Sequence, residues 1–127
     1  MPVQGDGQRG QGEKMNRFII ELGMGVDLHG GDVTKATKRA LRDAISHSCL
    51  SGLREVVTPK DILLKVKVAC PTPEKVDTEA LQGALPFGKV EYEITEGGLS
   101  TQGLHVSAFG EGDQIVVSLV SVTVVVS

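Results

Sequence analysis

Aromatic side chains are scarce in this chain: there is no Trp, one Tyr and three Phe, together 3% of the residues. A core without rings must be built from Val, Leu, Ile and Ala. Few rings are left for stacking on bases, which argues against single-stranded nucleic acid as a partner. A run of Lys and Arg is also missing, and the formal net charge is −3. Neither a nucleic-acid backbone nor an anionic membrane surface is therefore indicated. No apolar stretch approaches the roughly 18 residues that would suggest a transmembrane helix. No secretory leader is visible, so a cytoplasmic location is expected. In a reducing compartment the two cysteines, Cys49 and Cys70, are expected as free thiols.

What is present is enough for one domain. At 127 residues and 40% hydrophobic content the chain reads as a globular protein. Residues 1–15 are rich in Gly and Gln and read as a disordered extension. Residues 16–127 read as a single α+β domain.

Arg17 to Met24 is a short apolar run that reads as the first strand. Gly25 to Gly31, GVDLHGG, reads as a turn, with Gly25, Gly30 and Gly31 supplying permissive backbone. Asp32 is a good N-cap for the helix that follows, VTKATKRALRDAISHSCL. At about 100° per residue, Val33, Ala36, Thr37, Ala40, Leu41, Ala44, Ile45, Ser48 and Cys49 fall in one broad arc. Lys35, Arg39, Arg42 and Ser46 fall opposite. His47 lands inside the apolar arc, with Asp43 four residues earlier at its border, a spacing that suits a side-chain pair.

Asp61 to Cys70 alternates apolar and polar residues, as a half-buried strand does. After Pro71 and Pro73, Val76 to Leu85 reads as a second, shorter helix with Val76, Ala80, Leu81 and Leu85 as its stripe. Lys89 to Thr95 alternates again, with Val90, Tyr92 and Ile94 inward. Leu99 to Phe109 has room for another strand. Gln114 to Ser127 is a long strand signal, apolar on both faces, and must be covered on both sides. The order β-α-β-α-β-(β)-β predicts two helices packed on one face of a four- or five-stranded mixed sheet. The doubly apolar last strand and the wide helix arc point to a homo-oligomer.

Glu21 to Leu53 and Cys70 to Leu99 carry a resemblance. The pattern DLHGxDxTKA, met by Asp27, Leu28, His29, Gly30, Asp32, Thr34, Lys35 and Ala36, resembles the Lin-type family of conserved hypothetical proteins, named after a bacterial locus tag. The resemblance implies a short single-domain α+β protein and no assigned activity. A fainter, fold-level similarity is to one repeat unit of the ring-opening amidohydrolases and to the trimeric chorismate mutases. It implies sites at subunit interfaces and a trimer-based assembly.

The chemistry-bearing segment is Asp27-x-His29-x-x-Asp32 with Lys35. It lies between a strand end and a helix start, where N–H groups point outward. Two carboxylates, an imidazole and an amine suit proton transfer or recognition of a small polar molecule. The catalytic candidates are His29 as general acid or base, Asp27 or Asp32 as the orienting carboxylate, and Lys35 as the oxyanion or carboxylate contact. The ligand-binding candidates are Gly25, Gly30, Gly31, Thr34 and Glu21. Asp43 and His47 form a second candidate pair. The Walker spacing and the third glycine of a dinucleotide fingerprint are absent, as are CxxC and HxxxH, so neither cofactor nor metal is expected. Two functions stay open: an oligomer with an intersubunit pocket for a small polar molecule, acting as hydrolase or isomerase, and a non-catalytic ligand-binding or scaffolding oligomer.

Overall fold

A computed structural model describes residues 16–47, 61–85, 88–104 and 112–126. The alternating segments form strands, as their period dictates. These are β1 (Asn16–Asp27), β2 (Ile62–Cys70), β3 (Lys89–Glu96), β4 (Leu99–Gln102) and β5 (Gln114–Val126). The helix is α1 (Val33–Ser46). The sheet runs β1-β5-β2-β3. The last strand in sequence lies between the first two, antiparallel to both, and β2 pairs with β3 in parallel. The β3–β4 turn passes the end of β2, where the Gly97 N–H donates to the Cys70 carbonyl at 2.9 Å. There β4 takes over pairing with β5, Leu99 opposite Val117.

One face of this sheet is covered by α1. Val33, Ala36, Thr37, Ala40, Leu41 and Ala44 are all buried. They meet Val66, Val68 and Cys70 of β2 and Val116, Val120 and Val122 of β5 in one cluster. The helix sits unusually close to β1. A Cβ at Gly23 would lie 2.5 Å from the Ala44 nitrogen and would also strike the Ala40 carbonyl. A Cβ at Gly25 would strike the Ala36 carbonyl and the Ala40 nitrogen. Glycines on the strand opposite alanines on the helix let two backbones approach. Thr37 donates to Ser118 at 3.0 Å inside this core, so each buried hydroxyl has its partner.

The helix also covers part of the sheet's edge. Asp43 accepts the Met24 N–H at 3.0 Å, and Arg39 Nη1 donates to the Val26 carbonyl at 2.6 Å. These are β1 groups that point away from β5.

Three expectations need correction. The second helix does not form: among the described residues α1 is the single α-helix on the sheet, with 3-10 turns at Pro73–Lys75 and Thr78–Leu81 in place of the other. Val76 is extended, and Gly83 adopts φ +90. Nine residues separate Pro73 from the left-handed Gly83, and so short a segment forms a helix only with packing to support it. Of the proposed stripe only Leu81 is fully buried, and Ala80 is exposed. The first strand runs on to Asp27, so Gly25 lies inside it and not in the turn. The helix ends at Ser46, with His47 as its C-cap, and His47 is exposed rather than part of the apolar arc. Cys70 is a free, buried thiol. Residues 1–15, Cys49 and His105 lie outside the described residues.

Candidate functional site

The corner between β1 and α1 is held by its two aspartates. Asp27, the last residue of β1, is buried although it is a carboxylate. Its Oδ2 accepts the Asp32 N–H at 2.8 Å, which closes the turn 28–32. Its Oδ1 lies 3.6 Å from Arg39 Nη1. Asp32 acts as the expected N-cap: its Oδ1 accepts the N–H groups of Thr34 at 3.0 Å and Lys35 at 3.1 Å. Gly30 and Gly31 adopt φ of 99° and 65°, so the turn needs glycine at both. The Gly31 N–H donates to the Gln114 carbonyl at 3.1 Å, fixing the turn to the start of β5. Both carboxylates thus serve the backbone of the corner.

Beside them is an open cavity of about 490 Å³, lined by Val26, Asp27, Leu28, His29, Lys35 and Arg39. It has an apolar wall, an imidazole, two cations and the Asp27 carboxylate. Among the described residues no group of three or more His, Cys, Asp and Glu is placed to hold a metal ion.

The structure gathers four of the candidates here: Asp27, His29, Asp32 and Lys35. It adds Arg39, which sequence reasoning left on the solvent face of the helix. The signal was available, since Arg39 lies one turn beyond Lys35. It is Arg39, not Lys35, that faces Asp27.

Thr34 is turned elsewhere. Its hydroxyl donates to the Lys75 carbonyl at 3.3 Å and accepts the Asp77 N–H at 3.0 Å, latching the helix start to the segment between the 3-10 turns. Glu21 lies six residues before Asp27, roughly 20 Å along the strand. Gly25 lies under α1.

The pair Asp43 and His47 does form, at 3.3 Å, on an exposed part of the helix. The Met24 N–H, ahead of His47, holds the Asp43 carboxyl below its usual range. A second cavity, about 390 Å³, lies between the Thr78–Leu81 turn and β3 and is lined in part by Leu81, Leu85, Val90 and Tyr92. Burial pushes the Tyr92 hydroxyl up, as it does the Cys70 thiol.

Fold and corner together define a small α+β protein, with one helix among the described residues on a five-stranded mixed sheet. The profile of a family described as conserved hypothetical protein (Lin0512) matches residues 17–124, and the chain belongs to that family. It is also similar to a solved structure, an FtsZ-like protein of unknown function from Nostoc punctiforme. The two are 37% identical with a TM-score of 0.80, over 89% of this chain and 97% of the other. The structural relation found is therefore to an FtsZ-like protein and not to the ring-opening amidohydrolases. No curated protein matches the chain.

Proposed function

We propose that the chain is a self-associating protein that binds a small anionic molecule at the β1–α1 corner, without turning it over. The observation that carries the reading is the division of labour at the corner. Asp27 and Asp32 are engaged by N–H groups and by Arg39. Lys35 and Arg39 line the cavity with His29 beside an apolar wall. A ligand there meets two cations and an imidazole; of the two carboxylates only Asp27 lines the cavity, with Oδ2 accepting the Asp32 N–H and Oδ1 facing Arg39. A small carboxylate or phosphate ester fits that donor set.

The catalytic alternative, hydrolase or isomerase, draws support from His29 lining the same cavity. It would make His29 the acid–base group.

The test is calorimetric titration with inorganic phosphate and a panel of small carboxylates, on the native protein and on Lys35→Gln and His29→Gln. The binding reading expects an anion that binds, with affinity down about tenfold in Lys35→Gln, the loss of one charge-assisted bond. Absence of any anion binding overturns it. Turnover of a bound compound that disappears in His29→Gln while binding survives establishes the catalytic alternative instead.

A further inference from the structure

The sheet has a second face, and helix α1 does not touch it. The strand register shows what lies there. Ile20 of β1 stands opposite Thr123, Leu22 opposite Ser121, Met24 opposite Leu119, and Val26 opposite Val117. Across β5 the rows continue onto β2 as Lys65, Lys67 and Ala69, and onto β3 as Glu91, Glu93 and Thr95. Leu99 of β4 closes the last row beside Val117. The β1–β5 half of this face is apolar, and the β2–β3 half carries paired charges of both signs.

Over these rows the apolar half is open, while the next row, Val125 and Leu63, is buried. Ile20 is 56% exposed, Leu22 70%, Met24 55%, Leu99 56% and Leu119 46%. These side chains adjoin one another, forming a field on the order of 500 Å², near the upper end of what a monomer exposes. A standard interface buries about 800 Å² per partner. Ser121, Thr123 and the stems of Lys65 and Lys67 lie in the same rows and can supply the remainder.

We infer that this face is where a second copy of the chain docks, sheet against sheet. The inference rests on the self-association proposed above and names its surface. Three features select the occupant. The face is a broad field spanning adjacent strands, which suits another flat sheet, the standard packing of apolar sheet faces. Its charged flank carries both signs, Lys65, Lys67 and Lys89 against Glu91 and Glu93, with Lys67 and Glu93 3.9 Å apart. An identical flank is therefore not repelled, whereas the glutamates and the net charge of −3 oppose an anionic lipid surface. β5 is apolar on both faces over most of its length, the composition of a strand covered on both sides. An apolar centre with a polar rim is the anatomy of a protein interface.

The test is native mass spectrometry and light scattering on the full chain at about 50 μM, compared with Leu22→Lys, Leu119→Lys and the control Arg42→Glu on the exposed side of α1. The expected result is an assembly of two or more copies for the native chain and the control. Single chains are expected for Leu22→Lys and Leu119→Lys, with dissociation raised roughly a hundredfold or more by a buried unpaired charge. Leu22 is mostly exposed, so its lysine variant should keep the far-ultraviolet circular dichroism of the folded chain. A native chain that is single at this concentration overturns both the self-association and this surface. Assemblies that survive both lysine variants overturn the surface alone and leave self-association standing.

Discussion

The two faces of the sheet are built from the same strands and differ in every respect that matters to packing. Under α1, β1 presents Gly23 and Gly25, β5 presents Val116, Val120 and Val122, and all five are buried. On the other side the same β1 presents Ile20, Leu22 and Met24, all more than half exposed. The smaller residues are buried and the larger ones are bare. Side-chain size on this strand therefore reflects the distance of the layer above it. A helix backbone lies directly on the glycines, and among the described residues no element lies on the isoleucine and leucine. Hydrophobicity alone would have reversed the assignment.

That contrast can be broken at Gly25. Gly25→Val adds side-chain atoms where the Ala36 carbonyl and Ala40 nitrogen already sit. It should cost about 3 kcal/mol or more, enough to unfold a marginal domain, as urea denaturation would show. Leu41→Ala opens a cavity on the same face, since Leu41 is fully buried. Its expected cost is about 3 kcal/mol, with an unchanged denaturant slope.

At the edge between the faces, Asp27→Ala removes the acceptor of the Asp32 N–H and the partner of Arg39. A loss of about 2 kcal/mol is expected, with faster hydrogen exchange at Asp32. Asp43 tests the pH dependence. Its folded pKa is depressed below the ordinary value of 3.8, chiefly by the Met24 N–H. The stability it contributes is therefore present above that value and lost as pH falls through the lower folded value. Asp43→Asn, which mimics the protonated carboxyl, should lower stability at neutral pH, converge with the native chain near about pH 2 and so flatten the acid limb, as unfolding followed from about pH 7 to 2 would show. On the open face, Ile20→Ser should change the stability of the single chain by no more than about 0.5 kcal/mol. A larger loss at Ile20, measured under conditions where the chain is single, would mean that something within the chain covers this face.

Much of the scaffold was legible before the structure. Asp32 marked the start of α1, and its apolar arc named Val33, Ala36, Thr37, Ala40, Leu41 and Ala44, all of which are buried. Alternation gave the inward residues of β2 and β3. The errors have local causes. Gly25 carries the turn-former's signature, yet it serves here as the absence of a side chain, and only the helix above it reveals that. Val76 to Leu85 has helical spacing, but the spacing of four apolar residues cannot outweigh a flanking proline and Gly83. At the corner, Asp27 and Asp32 were found through their residue types. Arg39 was missed because a solvent-side arginine on a helix is ordinary until the strand edge beside it is known. The open face was legible in part. Ile20, Leu22 and Met24 alternate with Glu21, Gly23 and Gly25, which separates the two sides of β1 without saying which side the helix takes.

One consequence follows from Arg39 and Asp43. Asp43 occupies the outward N–H of Met24 and Arg39 the outward carbonyl of Val26 on β1. A strand from a neighbouring molecule that tried to add itself there would have to displace a guanidinium and a carboxylate, each anchored on a packed helix. The helix thus acts as a stopper at that margin of the sheet. Copies that meet through their flat sides can close on themselves with a fixed number of subunits, whereas copies that extended one another's sheets would grow without limit.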